Sequence, residues 1–134
     1  MNKIQLAARI ILGLIYFVFG GMGLAMVLGL MHPPEPAMPP AAAAFMKGMV
    51  ATGYFIPVLK ITETTCGFLL LFGIAAPLAL VIIAPVTLQI LLFNSLQSGI
   101  GNLVLPLVMV LAQVIAMSGY WDLYRPLFSK KRQR

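Results

Sequence analysis

Apolar residues fall along this chain in four long blocks, each with the length of a helix that crosses a bilayer. The first runs from Ile4 to about Leu30 and is interrupted near its start by Gln5 and Arg9. At 1.5 Å rise per residue it reaches roughly 40 Å, beyond a hydrocarbon core of about 30 Å, so it can tilt or begin among the headgroups. The others cover Pro57–Ala76, Leu78–Leu96 and about Leu103–Trp121, divided by a short turn at Ala76-Pro77 and a polar one at Asn94–Asn102. Met1–Arg9 followed by apolar residues has the outline of a signal peptide, but the stretch Ile10–Met31 is too long for an h-region of about 7–15 residues. A retained helix is expected.

Between the first two blocks, Met31–Pro40 holds five prolines. Each fixes φ and removes a donor, which predicts an extended loop. Ala41–Ile56 permits a helix again, but Lys47, Gly48 and Gly53 break its apolar run, so it is expected to lie in the interface. Phe45, Tyr54 and Phe55 suit that position. Pro85 and Pro106 fall inside later blocks, as kinks or first-turn residues that membrane helices accommodate.

Composition agrees with the pattern. The chain has 134 residues, of which 61% are apolar and 9% charged, with a mean hydropathy of +1.01. That is too little charge to cover a water-soluble domain. The expected fold is therefore all-α: one domain over residues 1–134, an integral membrane four-helix bundle with a short interfacial helix between helices 1 and 2. Its solvent is the lipid bilayer.

The net charge of +6 is concentrated at the ends, with Lys3 and Arg9 at one and Arg125, Lys130, Lys131, Arg132 and Arg134 in a tail over 125–134 at the other. Under the positive-inside rule this predicts N-in/C-in, with Arg9 snorkelling as an anchor and Tyr120, Trp121 and Tyr124 as an aromatic belt. No nucleic-acid partner is expected, since nothing aromatic or Gly-rich interleaves the tail.

The chain has three acidic residues, and Glu63 stands inside the second block. A charge in hydrocarbon costs roughly 2.5–3.5 kcal/mol and normally faces a partner, a cavity or the bundle interior. Lys60, one turn earlier, shares its face. Glu63 is expected about 9 Å below the external end of its helix by residue rise, level with Asn94. Glu63, Lys60, Asn94 and Gln89 are the candidate ligand-binding residues, with Glu63, Lys60 and Asn94 lining one external-side cavity. As a bland alternative, Lys60–Glu63 is an intrahelical pair, and Gln89, Gln113 and Asn94 bind helices together.

Gly13, Gly20, Gly21 and Gly23 predict close helix packing, and the threonines around Glu63 can bond their own helix or a ligand. Cys66 is alone, which excludes an internal disulfide or CxxC pair. His32 has only Glu35 as a neighbour of metal-ligating type, so no metal site is expected. No catalytic residue stands out, and with one Cys and one His an activity of its own is not the favoured reading.

Several segments together, AARIILGLIYFVFG at Ala7–Gly20, PPEPAMPPAAAAF at Pro33–Phe45, TGYFIPVLKITETTCGFLLL at Thr52–Leu71, the APV near Ile83–Val86 and YRPLF at Tyr124–Phe128, resemble the DoxX family of small bacterial membrane proteins. The most specific part is GYF-P-LK--E---G, on Gly53, Tyr54, Phe55, Pro57, Leu59, Lys60, Glu63 and Gly67. The resemblance implies a four-helix bundle in the bacterial inner membrane, loosely linked to quinone-coupled sulfur oxidation and detoxification. A quinone is the cofactor it points to, and a membrane or periplasmic oxidoreductase the partner. Relatives often carry His where this chain has Asn94, and Asn within the segment that is GGMG here; the first departure puts in question any proton-transfer role resting on that His. The functions in view are binding of a quinone or lipid, proton-coupled transport through Glu63, and a structural or assembly subunit.

Overall fold

A computed structural model describes residues 1–97 and 99–128. Lys130, Lys131, Arg132 and Arg134 of the basic tail lie outside the described residues, as does Ser98 of the third turn. The described residues form helices α1 (Lys3–Val27), α2 (Pro40–Ala51), α3 (Phe55–Phe72), α4 (Ala76–Ser95), α5 (Val104–Ser118) and α6 (Trp121–Tyr124), with 3-10 turns at Ile100–Leu103 and Arg125–Phe128. Four segments, α1, α3, α4 and Ile100–Ser118, are long and apolar enough to cross a membrane. Leu14, Ile61, Leu78 and Leu111 are more than half exposed on these helices, a surface suited to lipid rather than water.

Local chemistry sets the ends. Asn2 caps α1: its side chain accepts from the Gln5 amide at 2.8 Å, and the Gln5 side chain accepts from the Asn2 amide at 3.0 Å. Both groups would otherwise be orphan donors of the first turn. The prolines after Met31 carry an extended stretch up to α2, which begins on Pro40. The turn after α3 comes earlier than its Ala76-Pro77 dipeptide predicts. Gly73, at φ 68°, ends α3 in the left-handed region that costs a residue without Cβ least. Ala76 and Pro77 then open α4, where a missing N–H does no harm. The last block is likewise split, α5 stopping at Ser118 ahead of the separate α6.

The spanning helices close a ring in which α1 packs on α3, α3 on α4, α4 on α5 and α5 on α1. Leu12, Tyr16, Leu70, Leu80 and Ile83 are fully enclosed at its centre. Contact between α1 and α3 is the tightest. A Cβ on Gly13 would stand 2.9 Å from Leu70 Cβ, one on Gly20 would stand 2.7 Å from the Thr64 amide nitrogen, and one on Gly67 would meet the backbone of Phe17 and Gly13. Gly21 differs from the expectation: nothing lies within 4 Å of its Cβ position, because it faces away from α3. Gly67, on the partner helix, completes the seam instead.

The two ends of the bundle chain meet. Gln5 Nε2 donates to Ser118 Oγ at 3.0 Å, and Arg9 donates to the Tyr120 hydroxyl at 3.3 Å. Arg9 turns inward rather than simply reaching out: its guanidinium lies 3.0 Å from where a Cβ of Gly73 would be, at the C-terminus of α3. A cation there is favoured by the helix dipole. Beyond the last span, the buried Tyr124 donates to the Pro77 carbonyl at 2.6 Å. Burial, reinforced by neighbouring Tyr120, pushes its phenol up to about 12, so this bond keeps its proton at neutral pH.

Candidate functional site

The i,i+3 spacing of Lys60 and Glu63 gives what it predicts. Lys60 Nζ donates to Glu63 Oε2 at 3.1 Å. Glu63 is only 4% exposed, and Lys60 reaches it because Gly23 leaves room for its stem. A Cβ on Gly23 would collide with Lys60 Cδ and lie 2.6 Å from its Cε. Gly23 thus seats a side chain, whereas Gly13 and Gly20 seat a helix. Thr62 and Thr64 bond the carbonyls of Val58 and Lys60, at 2.9 and 2.7 Å. Those hydroxyls are committed to their own helix.

The depth of Glu63 differs from the sequence expectation. Because α3 begins at Phe55, Glu63 is the ninth of its 18 residues, roughly 12 Å from its start by helix rise. It stands mid-helix. Asn94 is the last residue but one of α4, so the two are not a matched pair at one level.

They nevertheless border the same space. A half-open cavity of about 980 Å³ is bordered by the C-terminal part of α1, by α2, by the first half of α3 and by the second half of α4. Lys60, Glu63, Gln89 and Asn94 all line it. Its volume lies at the upper end of the range for small-molecule sites. Apart from these four residues the wall is apolar or backbone, with Phe19, Met22 and Met26 from α1 and Phe45, Met46 and Met49 from α2. Phe45 also packs on Phe93, ring centroids 5.7 Å apart. A smaller groove of about 290 Å³ shares Phe45, Gln89 and Phe93 with the main cavity, making these three a common wall.

The polar groups of this wall are unequally engaged. Asn94 donates to the Ile90 carbonyl at 2.7 Å, so its amide is partly occupied within α4. Among the described residues, Glu63 Oε1 has no protein partner, Lys60 uses one of its three protons, and the Gln89 side chain makes no hydrogen bond to the protein.

A second polar group, absent from the sequence reading as a unit, lies outside the cavity wall. The hydroxyls of Tyr16 and Thr87 are 2.5 Å apart, and Thr87 lies 3.0 Å from Gln113 Oε1. Gln113 Nε2 donates to the Leu80 carbonyl at 2.8 Å. Since Thr87 has one proton, the order Tyr16 to Thr87 to Gln113 to Leu80 satisfies every member. This chain ends on a backbone carbonyl and links α1, α4 and α5, so its role is to fix the bundle. Gln113 is therefore the interhelical bond that a buried amide predicts, whereas Gln89 is not.

Among the described residues, no group of three or more His, Cys, Asp or Glu is placed to hold a metal. No protein-family model matches the chain, and no curated protein or solved structure matches it.

Proposed function

We propose that this protein binds a lipophilic ligand, a quinone or a lipid, in the cavity beside Glu63, and serves a membrane redox process as an accessory subunit. The observation that carries the reading is a largely apolar cavity of about 980 Å³ whose wall holds Lys60, Glu63 and Gln89 with unused hydrogen-bonding capacity. Such a wall orients a ligand that is apolar along most of its length. The DoxX resemblance supplies the redox context and the proposed oxidoreductase partner. The basic ends support a bacterial inner-membrane orientation with both termini inside. In that orientation α2 lies in the outer interface and roofs the cavity.

Binding of a quinol, or of a lipid with a hydroxyl or amide head, to purified protein is expected to weaken about tenfold in Glu63→Gln, as loss of a charge-assisted hydrogen bond donated to the carboxylate implies. Equal affinities in wild type and variant would remove Glu63 from the site. The mid-helix depth of Glu63 favours one second reading, proton-coupled transport. Its expected sign is amine or drug resistance on overexpression that disappears in Glu63→Gln. Absence of pH-dependent flux in vesicles removes that reading.

A further inference from the structure

The charge balance of the cavity wall restricts what its ligand can be, and the inference rests on the ligand-binding reading above. We propose that the site takes an uncharged amphiphile whose head group both accepts and donates hydrogen bonds, such as a quinol or a long-chain amide or alcohol, and rejects lipids with charged heads.

Three observations carry this. First, among the described residues Lys60 and Glu63 are the two charged residues lining the cavity, and they are already paired at 3.1 Å. The wall is therefore neutral as a whole. An anionic head would draw Lys60 away and leave the buried Glu63 carboxylate without its partner; a cationic head would do the same to Lys60. A buried charge left unpaired is strongly unfavourable. Second, the pair lies halfway along α3 and not at a helix end. A phosphate or ammonium head would have to leave the aqueous interface to reach it, whereas an amide or hydroxyl sheds water at far lower cost. Third, the unused valences are of both kinds. Glu63 Oε1 can accept, Lys60 can donate, and Gln89 can do either. A head that only accepts, as an oxidised quinone does, leaves Glu63 Oε1 unmatched and is held less tightly than its reduced quinol, and one that only donates leaves Lys60 unmatched.

The lining beyond this polar corner suits a flexible chain. Met22, Met26, Met46 and Met49 come from two different helices, and thioether side chains repack around ligands of varied shape.

Binding of three probes of equal chain length, a primary amide, a sulfonate and a quaternary ammonium, tests the inference on the full-length protein in nanodiscs. The expected result is an amide affinity at least about tenfold above both charged probes. Glu63→Gln leaves Lys60 without a counter-charge, so the gap between amide and sulfonate is expected to narrow. Met46→Trp fills the cavity from α2 and is expected to abolish amide binding. Equal or tighter binding of a charged probe that Met46→Trp still abolishes would overturn the charge restriction and leave the cavity reading standing. Binding of all three probes untouched by Met46→Trp would overturn both.

Discussion

Gly67→Val is expected to be the most damaging single substitution in this protein, with a loss of at least about 3 kcal/mol. The first atoms a Cβ at Gly67 meets are the backbone nitrogen of Phe17, the Gly13 carbonyl oxygen at 2.8 Å and Phe17 Cα at 2.9 Å. None is the end of a flexible side chain, so α1 itself must move. Overpacking typically costs about 1–3 kcal/mol where neighbours can adjust, and here they cannot. Gly21→Ala is the control at an open position of α1. It meets nothing within 4 Å and gains up to about 1 kcal/mol of helix propensity. Reversible unfolding in mixed micelles measures both. Gly67→Val with wild-type stability would mean that α1 and α3 are not held together by this seam.

The second large effect is expected at Lys60. Lys60→Met strands the Glu63 carboxylate, which is 4% exposed and has no other protein partner among the described residues. Removing one member of a fully buried pair costs about 3–5 kcal/mol, and with the Lys60 side chain 26% exposed a loss toward the lower end of that range is expected, while replacing both with apolar residues is often neutral. The double substitution Lys60→Met with Glu63→Leu is therefore expected to recover most of the stability lost by the single one. A coupling of at least about 2 kcal/mol in the double-mutant cycle is the expected reading. Additive losses would show that the two charges are stabilised separately. The recovered protein is still expected to lack ligand binding, which separates the role of the pair in the site from its effect on folding.

The four spans could be read from sequence because a run of some 20 apolar residues has few other uses. Lys60-x-x-Glu63 was legible for a similar reason: one helical turn fixes the geometry of an i,i+3 pair. Gln89 and Asn94 stood out as amides in apolar runs. What eluded the sequence depends on packing between distant segments. Tyr16 and Thr87 are 71 residues apart, and no local pattern distinguishes them from other core residues. The motif marks Gly67, but its packing role is visible only with α1 lying against it. The spacing of Met22 with Met26 and of Met46 with Met49 puts each pair on one helix face, a signal of the cavity that was available but ambiguous with ordinary core. Glu63 lies deeper than its distance from Pro57 implies, because α3 begins two residues earlier, at Phe55. Arg9 looked like a lipid anchor because nothing near it in sequence reveals the end of α3 beside it.

The methionines of the wall give this cavity its own spectroscopic labels. Met22, Met26, Met46 and Met49 border the space from two sides, while Met109 and Met117 belong to the core around α5. With isotope-labelled methyl groups, the first four resonances sense occupancy directly and the other two serve as an internal standard. Ligand entry can thus be watched in the unmodified sequence, without attaching a reporter to the bundle.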